Sequence, residues 1–190
     1  MKCDVILAGV GGQGVLSVAA IIAQAAANEG FNVRQSEVHG MAQRGGAVLA
    51  HLRISSETIA SDLVPKGKAD IILSMEPLES LRYGSWLAPS GILISAADPF
   101  ININNYPRIE GISNLIKSFP SWRLIEAAAL AKEAGLARAV NTVMVGAASP
   151  FLPVKFETLE KTVKNVFIKK GEAVLNANEK ALLLGRKASE

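Results

Sequence analysis

The sequence predicts an α/β fold, a mostly parallel sheet with helices on both faces and two more helices closing the C-terminus. Three observations carry the prediction. Residues 3–27 pass from an apolar run (Val5-Ile6-Leu7-Ala8) through Gly9-Val10-Gly11-Gly12-Gln13-Gly14 into an alanine-rich stretch free of Gly and Pro. The runs at 69–75 and 92–96 have the unbroken apolar character of strands buried on both faces. Residues 156–184 place apolar side chains at helical spacing opposite lysines. A strand, a glycine turn and a helix, in that order, open a Rossmann-like sheet. Its 190 residues are expected to form one domain, 1–190, around one core.

Taken in order, Val5–Ala8 is a buried strand and Val15–Ala27 a helix packed closely on the sheet. Phe31–Glu37 follows the helix stop at Gly30 as a second strand, and Ala47–Ile54 alternates as a third. His51 within it reads as a satisfied strand histidine. Residues 55–68 are a polar connection with a short edge strand at 58–60. After the strand at 69–75, Pro77 opens a short helix that ends near Tyr83-Gly84, with Glu76 and Glu79 placed by the usual N-terminal charge preference. Ser90-Gly91 turns into the strand at 92–96. Residues 98–110 are loop, 110–119 a short helix or turn, and 123–135 a helix ended by Gly135. Residues 141–148 suit helix or strand by periodicity, and helix is the reading taken. Phe156–Lys170 and Glu172–Leu184 are the closing helices.

Composition narrows the chemistry. Half the chain is apolar but only 5% aromatic, so the core must be aliphatic. A net charge of +3 without a Lys/Arg cluster argues against a nucleic-acid surface. One cysteine, Cys3, excludes a disulfide within the chain and a cysteine-ligated iron–sulfur cluster. His39 and His51 are too few to make a metal site, so none is expected. Asp4 and the glycines interrupt the N-terminal apolar segment, which speaks against a signal peptide or membrane span and for a cytoplasmic protein.

Two segments carry the candidate site. Gly9, Gly11 and Gly14 satisfy G-x-G-x-x-G between a strand and a helix, where unpaired helical N–H groups favour an anion. Glu37 is the candidate ribose acid, further from Gly14 than the usual ~20 residues. Val15 and Leu16 stand where a P-loop needs Lys and Ser/Thr, which argues against ATP or GTP. The turn therefore has three readings: a permissive turn only, a dinucleotide site, or contact with another anion or a partner chain. The second segment, residues 36–46, gathers Glu37, His39, Gln43, Arg44, Gly45 and Gly46 on one polar loop able to reach a ligand or another chain.

Gly11-Gly12-Gln13-Gly14, Glu37, His39-Gly40, Gln43-Arg44-Gly45-Gly46, Asn141-Thr142-Val143-Met144-Val145-Gly146, Asn178 and Gly185 together resemble the γ-type small subunits of 2-oxoacid:ferredoxin oxidoreductases, especially those acting on indolepyruvate. The resemblance implies coenzyme A-dependent oxidative decarboxylation to an acyl-CoA, carbon dioxide and reduced ferredoxin. It implies thiamine diphosphate, magnesium and iron–sulfur clusters on a large partner subunit, with ferredoxin as electron acceptor. The sequence has no Gly-Asp-Gly element for magnesium and diphosphate and no cysteines for clusters, so the chain is expected to be inactive alone. The loop from Glu37 to Gly46 would dock on the partner, and the turn from Gly11 to Gly14 would support that loop or accept a phosphate of coenzyme A. A free-standing NAD(P)-dependent reductase and a purely structural subunit are the alternatives. Saturable NADH or NADPH binding by the isolated chain marks the first. Turnover insensitive to changes at Gln13 and Arg44 marks the second.

Overall fold

The computed structural model describes residues 1–37 and 45–190. Its sheet has six strands: β1 (Lys2–Val10), β2 (Asn32–Glu37), β3 (Ala47–Ser55), β4 (Ala69–Ser74), β5 (Leu87–Ala96) and β6 (Trp122–Ile125). Their order is β2-β3-β1-β4-β5-β6. β1, β4, β5 and β6 pair in parallel, while β3 runs antiparallel to both β1 and β2. β3 alone is reversed, and the sheet is mixed but mostly parallel.

Alternation along β1 sends successive side chains to opposite faces. Val5 and Leu7 join one core, with α1 (Val15–Asn28), α4 (Ala127–Glu133), α5 (Val140–Ala148), α6 (Phe156–Phe167) and α7 (Glu172–Ser189) above them. Ile6 and Ala8 join the other, with Tyr83 just beyond α2 (Pro77–Arg82) and with Ile112 and Ile116 of α3 (Ile109–Lys117). Every β1 residue from Cys3 to Val10 is buried, as a strand covered on both faces must be. His51 is a satisfied strand histidine: its Nδ1 accepts the Val64 N–H at 3.1 Å, and burial, then Arg53, holds its pKa below the ordinary value. No helix among the described residues is long and apolar enough to cross a membrane.

Three local expectations are corrected. The helix assigned to 123–135 is β6 followed by α4. Leu124 and Ile125 go to opposite cores, a two-residue alternation too short to stand out in the sequence. Ser90-Gly91 is no turn but part of β5, which starts at Leu87 and shifts register against β4 between Ala69 and Ile71. Residues 58–60 form no strand. Residues 141–148 are helical, and Thr142 to Ala148 are all buried, which is why periodicity alone was ambiguous there.

α5 and α7 cross in close contact. A Cβ on Gly146 would overlap the Leu182 carbonyl oxygen, and one on Gly185 would overlap that of Val143. Beside this crossing Thr142 Oγ1 donates to Asn178 Oδ1 at 2.6 Å, and Asn178 Nδ2 donates to the Val174 carbonyl at 2.8 Å. The asparagine and glycines at the C-terminal end of the sequence pattern thus serve helix packing.

Candidate functional site

The glycine turn lies at the C-terminal ends of β1 and β4. From these neighbouring strands the chain leaves through α1 on one face and α2 on the other, so a crevice opens there. Gly14, left-handed at φ 79°, is the N-cap of α1. Asn141 packs directly against its Cα and leaves no room for a Cβ; its Nδ2 lies 3.4 Å from the Gly14 carbonyl. Among the described residues no side chain caps α1, and its first turn has no acid, so its positive end faces the crevice.

Gln13 braces the turn while lining the cleft. Its Oε1 accepts the Val10 N–H at 2.8 Å and its Nε2 donates to the Met75 carbonyl at 3.2 Å, joining the ends of β1 and β4. Gly11 makes a two-way backbone bridge: its N–H donates to the Gly46 carbonyl (2.8 Å), and its carbonyl accepts the Gly45 N–H (3.1 Å). The structure therefore brings together Gly11 to Gly14, Gly45 and Gly46. Glu37 ends β2, with β3 interposed between it and β1, so it is not the neighbouring-strand acid that a dinucleotide ribose requires. His39, Gln43 and Arg44 lie outside the described residues.

A cleft of about 520 Å³ opens over the turn, bounded by Gly12 to Gly14, Met75, the Asp98-Pro99-Phe100 segment, Arg138 and Asn141. Arg138 is exposed at the rim and also borders a second cavity of about 500 Å³ between α1, α5 and α6. Asp98 is engaged, its Oδ2 accepting the Ala128 N–H at 2.9 Å. Asn102 Nδ2 donates to the Gly45 carbonyl at 2.6 Å, linking the segment after β5 to the residues bridged by Gly11. A helix N-terminus and the Arg138 guanidinium on one concavity suit an anionic ligand, with the Asp98 carboxylate, itself bonded to Ala128, as the opposing charge there.

Sequence reasoning missed Asp98 to Phe100 and Arg138. Asp98-Pro99 had a usable signal, since it follows a parallel-type strand at the end where α/β sheets bind ligands. Arg138 had none.

Residues 4–188 match the model of the pyruvate ferredoxin/flavodoxin oxidoreductase family. The chain belongs to that family. The chain is similar to the indolepyruvate oxidoreductase subunit IorB of Pyrococcus horikoshii, 34% identical over 98% of this chain and 96% of that one. IorB of Archaeoglobus fulgidus is 35% identical over 97% and 94%. Among solved structures, the Thermotoga maritima pyruvate oxidoreductase subunit PORC superposes with TM-score 0.73 at 23% identity, covering 98% of this chain and 96% of that one. The 2-oxoglutarate:ferredoxin oxidoreductase of Magnetococcus marinus, solved with 2-oxoglutarate, coenzyme A and succinyl-CoA bound, gives TM-score 0.78 at 24% identity over 99% of this chain. The present chain spans only 31% of that polypeptide. At such identities the superpositions establish the fold.

Proposed function

We propose that this chain is the small subunit of a cytoplasmic indolepyruvate, or related 2-oxoacid, ferredoxin oxidoreductase. The complex turns a 2-oxoacid and coenzyme A into an acyl-CoA, carbon dioxide and reduced ferredoxin. The observation that carries this reading is the roughly one-third identity, nearly end to end, with the indolepyruvate subunits. A larger partner holds thiamine diphosphate, magnesium and the iron–sulfur clusters, which supply carbanion chemistry and electron transfer. What supports this is that the sequence has one cysteine, too few for a cluster, and no Gly-Asp-Gly element for magnesium and diphosphate. Its one thiol, Cys3, is buried in β1 and pushed up to about 12, first by burial and then by Asp70 and Asp4. Among the described residues no three His, Cys, Asp or Glu side chains converge on a metal position.

The cleft over Gly12 to Gly14 then holds a phosphate of coenzyme A, with the α1 N–H groups and Arg138 as its electrostatic partners. The loop from Glu37 to Gly46, carrying His39, Gln43 and Arg44, docks on the large subunit near its thiamine site. In the assembled complex Arg138→Ala is expected to raise KM for coenzyme A about tenfold, the worth of one charge-assisted contact, with kcat at saturating coenzyme A unchanged. Steady-state kinetics checks this, and an unchanged KM rejects the cleft as the coenzyme A site. Arg44→Ala is expected to lower the fraction of small subunit that co-elutes with its partner in size-exclusion chromatography. Unaltered co-elution and turnover reject the docking role of that loop.

A further inference from the structure

We infer that Glu76 is a positioning residue for the cleft: its buried carboxylate ties the start of α2 to residues 97–106 and so fixes the wall formed by Pro99 and Phe100. The inference rests on the reading of the cleft as a coenzyme A site.

Glu76 is 1% exposed. Its Oε2 accepts the Glu79 N–H at 2.8 Å and caps α2. Its Oε1 accepts the Phe100 N–H at 3.3 Å and a short hydrogen bond from the Tyr106 hydroxyl. Ser74 Oγ donates to the Glu76 carbonyl at 2.6 Å, which fixes the backbone beneath the carboxylate. Burial, then the bond to Glu76, pushes the Tyr106 pKa up, so the phenol stays a donor. The nearby guanidinium, Arg82, pairs with Glu79 instead.

Capping alone does not explain this choice. A helix N-cap needs one small acceptor, and Ser, Thr or Asp supplies it. Burying a longer carboxylate carries a desolvation cost that only several good donors offset. Two of the three donors here come from the segment after β5, not from α2. Apart from Tyr106, which packs on the second core, that segment has little packing of its own, because Phe100, Ile101 and Ile103 are 43%, 69% and 43% exposed. Polar anchors therefore set its place: Glu76 at Phe100 and Tyr106, Asn102 against Gly45, and, at the start of the segment, Ala97 and Asp98 bonded to Ile125 and Ala128. Met75, adjacent to Glu76, and Phe100, bonded to it, both line the cleft. Ala97 and Asp98 hold the near end of the wall, and the Glu76 carboxylate fixes the part from Phe100 onward against the cleft's floor; ligand placement is sensitive to such spacing.

The test uses Tyr106→Phe, which deletes one donor from the loop and leaves the α2 cap intact, in the assembled complex. Two quantities are read: hydrogen exchange across 97–106, and the separate values of KM for coenzyme A and kcat. Expected are faster exchange in that segment and a KM raised about fivefold, as for one lost hydrogen bond, at unchanged kcat. Glu76→Gln, which places an N–H₂ group within the same set of donors, is expected to give a larger KM increase of the same kind. Faster exchange with an unchanged KM overturns the inference, as does unchanged exchange. The Arg138→Ala result separates the two levels. If it raises KM while Tyr106→Phe does not, the role of Glu76 alone has failed. If neither raises KM, the coenzyme A reading has failed with it.

Discussion

Gly185→Ala is expected to be the most damaging single-methyl change in the described part of the chain, costing about 3 kcal/mol or more of stability. The new Cβ would overlap the Val143 carbonyl oxygen, which is backbone inside a buried helix and has no rotamer through which to retreat. Relief requires α5 and α7 to separate, and that opens the core around Val143, Met144 and Leu182. At roughly 2–4 °C per kcal/mol for a chain of this size, the thermal midpoint should fall by about 6–12 °C. Gly146→Ala, against the Leu182 carbonyl, should behave alike. Gly111 supplies the opposite sign: it lies in α3 with open space where its Cβ would go. Gly111→Ala should stabilise by about 0.5–1 kcal/mol, because alanine has less backbone freedom to lose. Calorimetry of the three variants checks this, and a Gly185→Ala protein as stable as the parent would refute the packing account.

Arg53→Ala is expected to cost about 3 kcal/mol through a different mechanism, an abandoned charge. Asp4 is fully buried, and Arg53 meets it through two bonds, Nε to Oδ1 at 2.8 Å and Nη2 to Oδ2 at 3.2 Å. The same guanidinium donates to the carbonyls of Ser61 and Leu63 at 2.9 and 3.2 Å, pinning the connection that follows β3. Truncation leaves Asp4 with Lys2, 2.6 Å away on an exposed side chain, and with its own backbone N–H bonded to Asp70. The partial cover from Lys2 keeps the loss within the lower part of the range for broken buried pairs. Denaturant unfolding is the measurement. In the double variant Asp4→Asn/Arg53→Ala the losses should be less than additive, because no buried charge is then stranded.

Much of the architecture was legible because it follows from composition with a period. The glycine turn, the buried strands at β1 and β4 and the two closing helices all follow from where Gly, branched apolar residues and lysines recur. Strand direction does not leave such a mark. An alternating strand reads the same in either sense, so the reversal of β3 and its place between β1 and β2 were invisible. β6 was hidden for another reason: four residues joined to an alanine-rich helix have too short an alternation to compete with the helical pattern beside them. The site divides similarly. The glycine loop announces itself by composition, and the bridge from Gly11 to Gly45 and Gly46 joins two segments that the sequence had already singled out. Gln13 lines the cleft and also braces the ends of β1 and β4, a second use of its amide that nothing in a sequence announces. Glu76 looked like an ordinary helix-start acid, and its two donors from the segment after β5 come from 24 and 30 residues away. Arg138 reaches the cleft only through the crossing of helices.

The insertion of β3 beside β1 also governs how the chain can assemble as it leaves the ribosome. β1, α1 and β2 emerge before the other strands, yet β1 and β2 are not neighbours, so this portion has no ladder to close. Its most apolar strand stays without a partner until β3 or β4 has been translated. From then on each new strand joins an edge that already exists, β4 to β5 to β6 in order of synthesis. A nascent polypeptide is therefore most exposed to chaperones or aggregation while β1 has both edges open, before β3 and β4 have followed it.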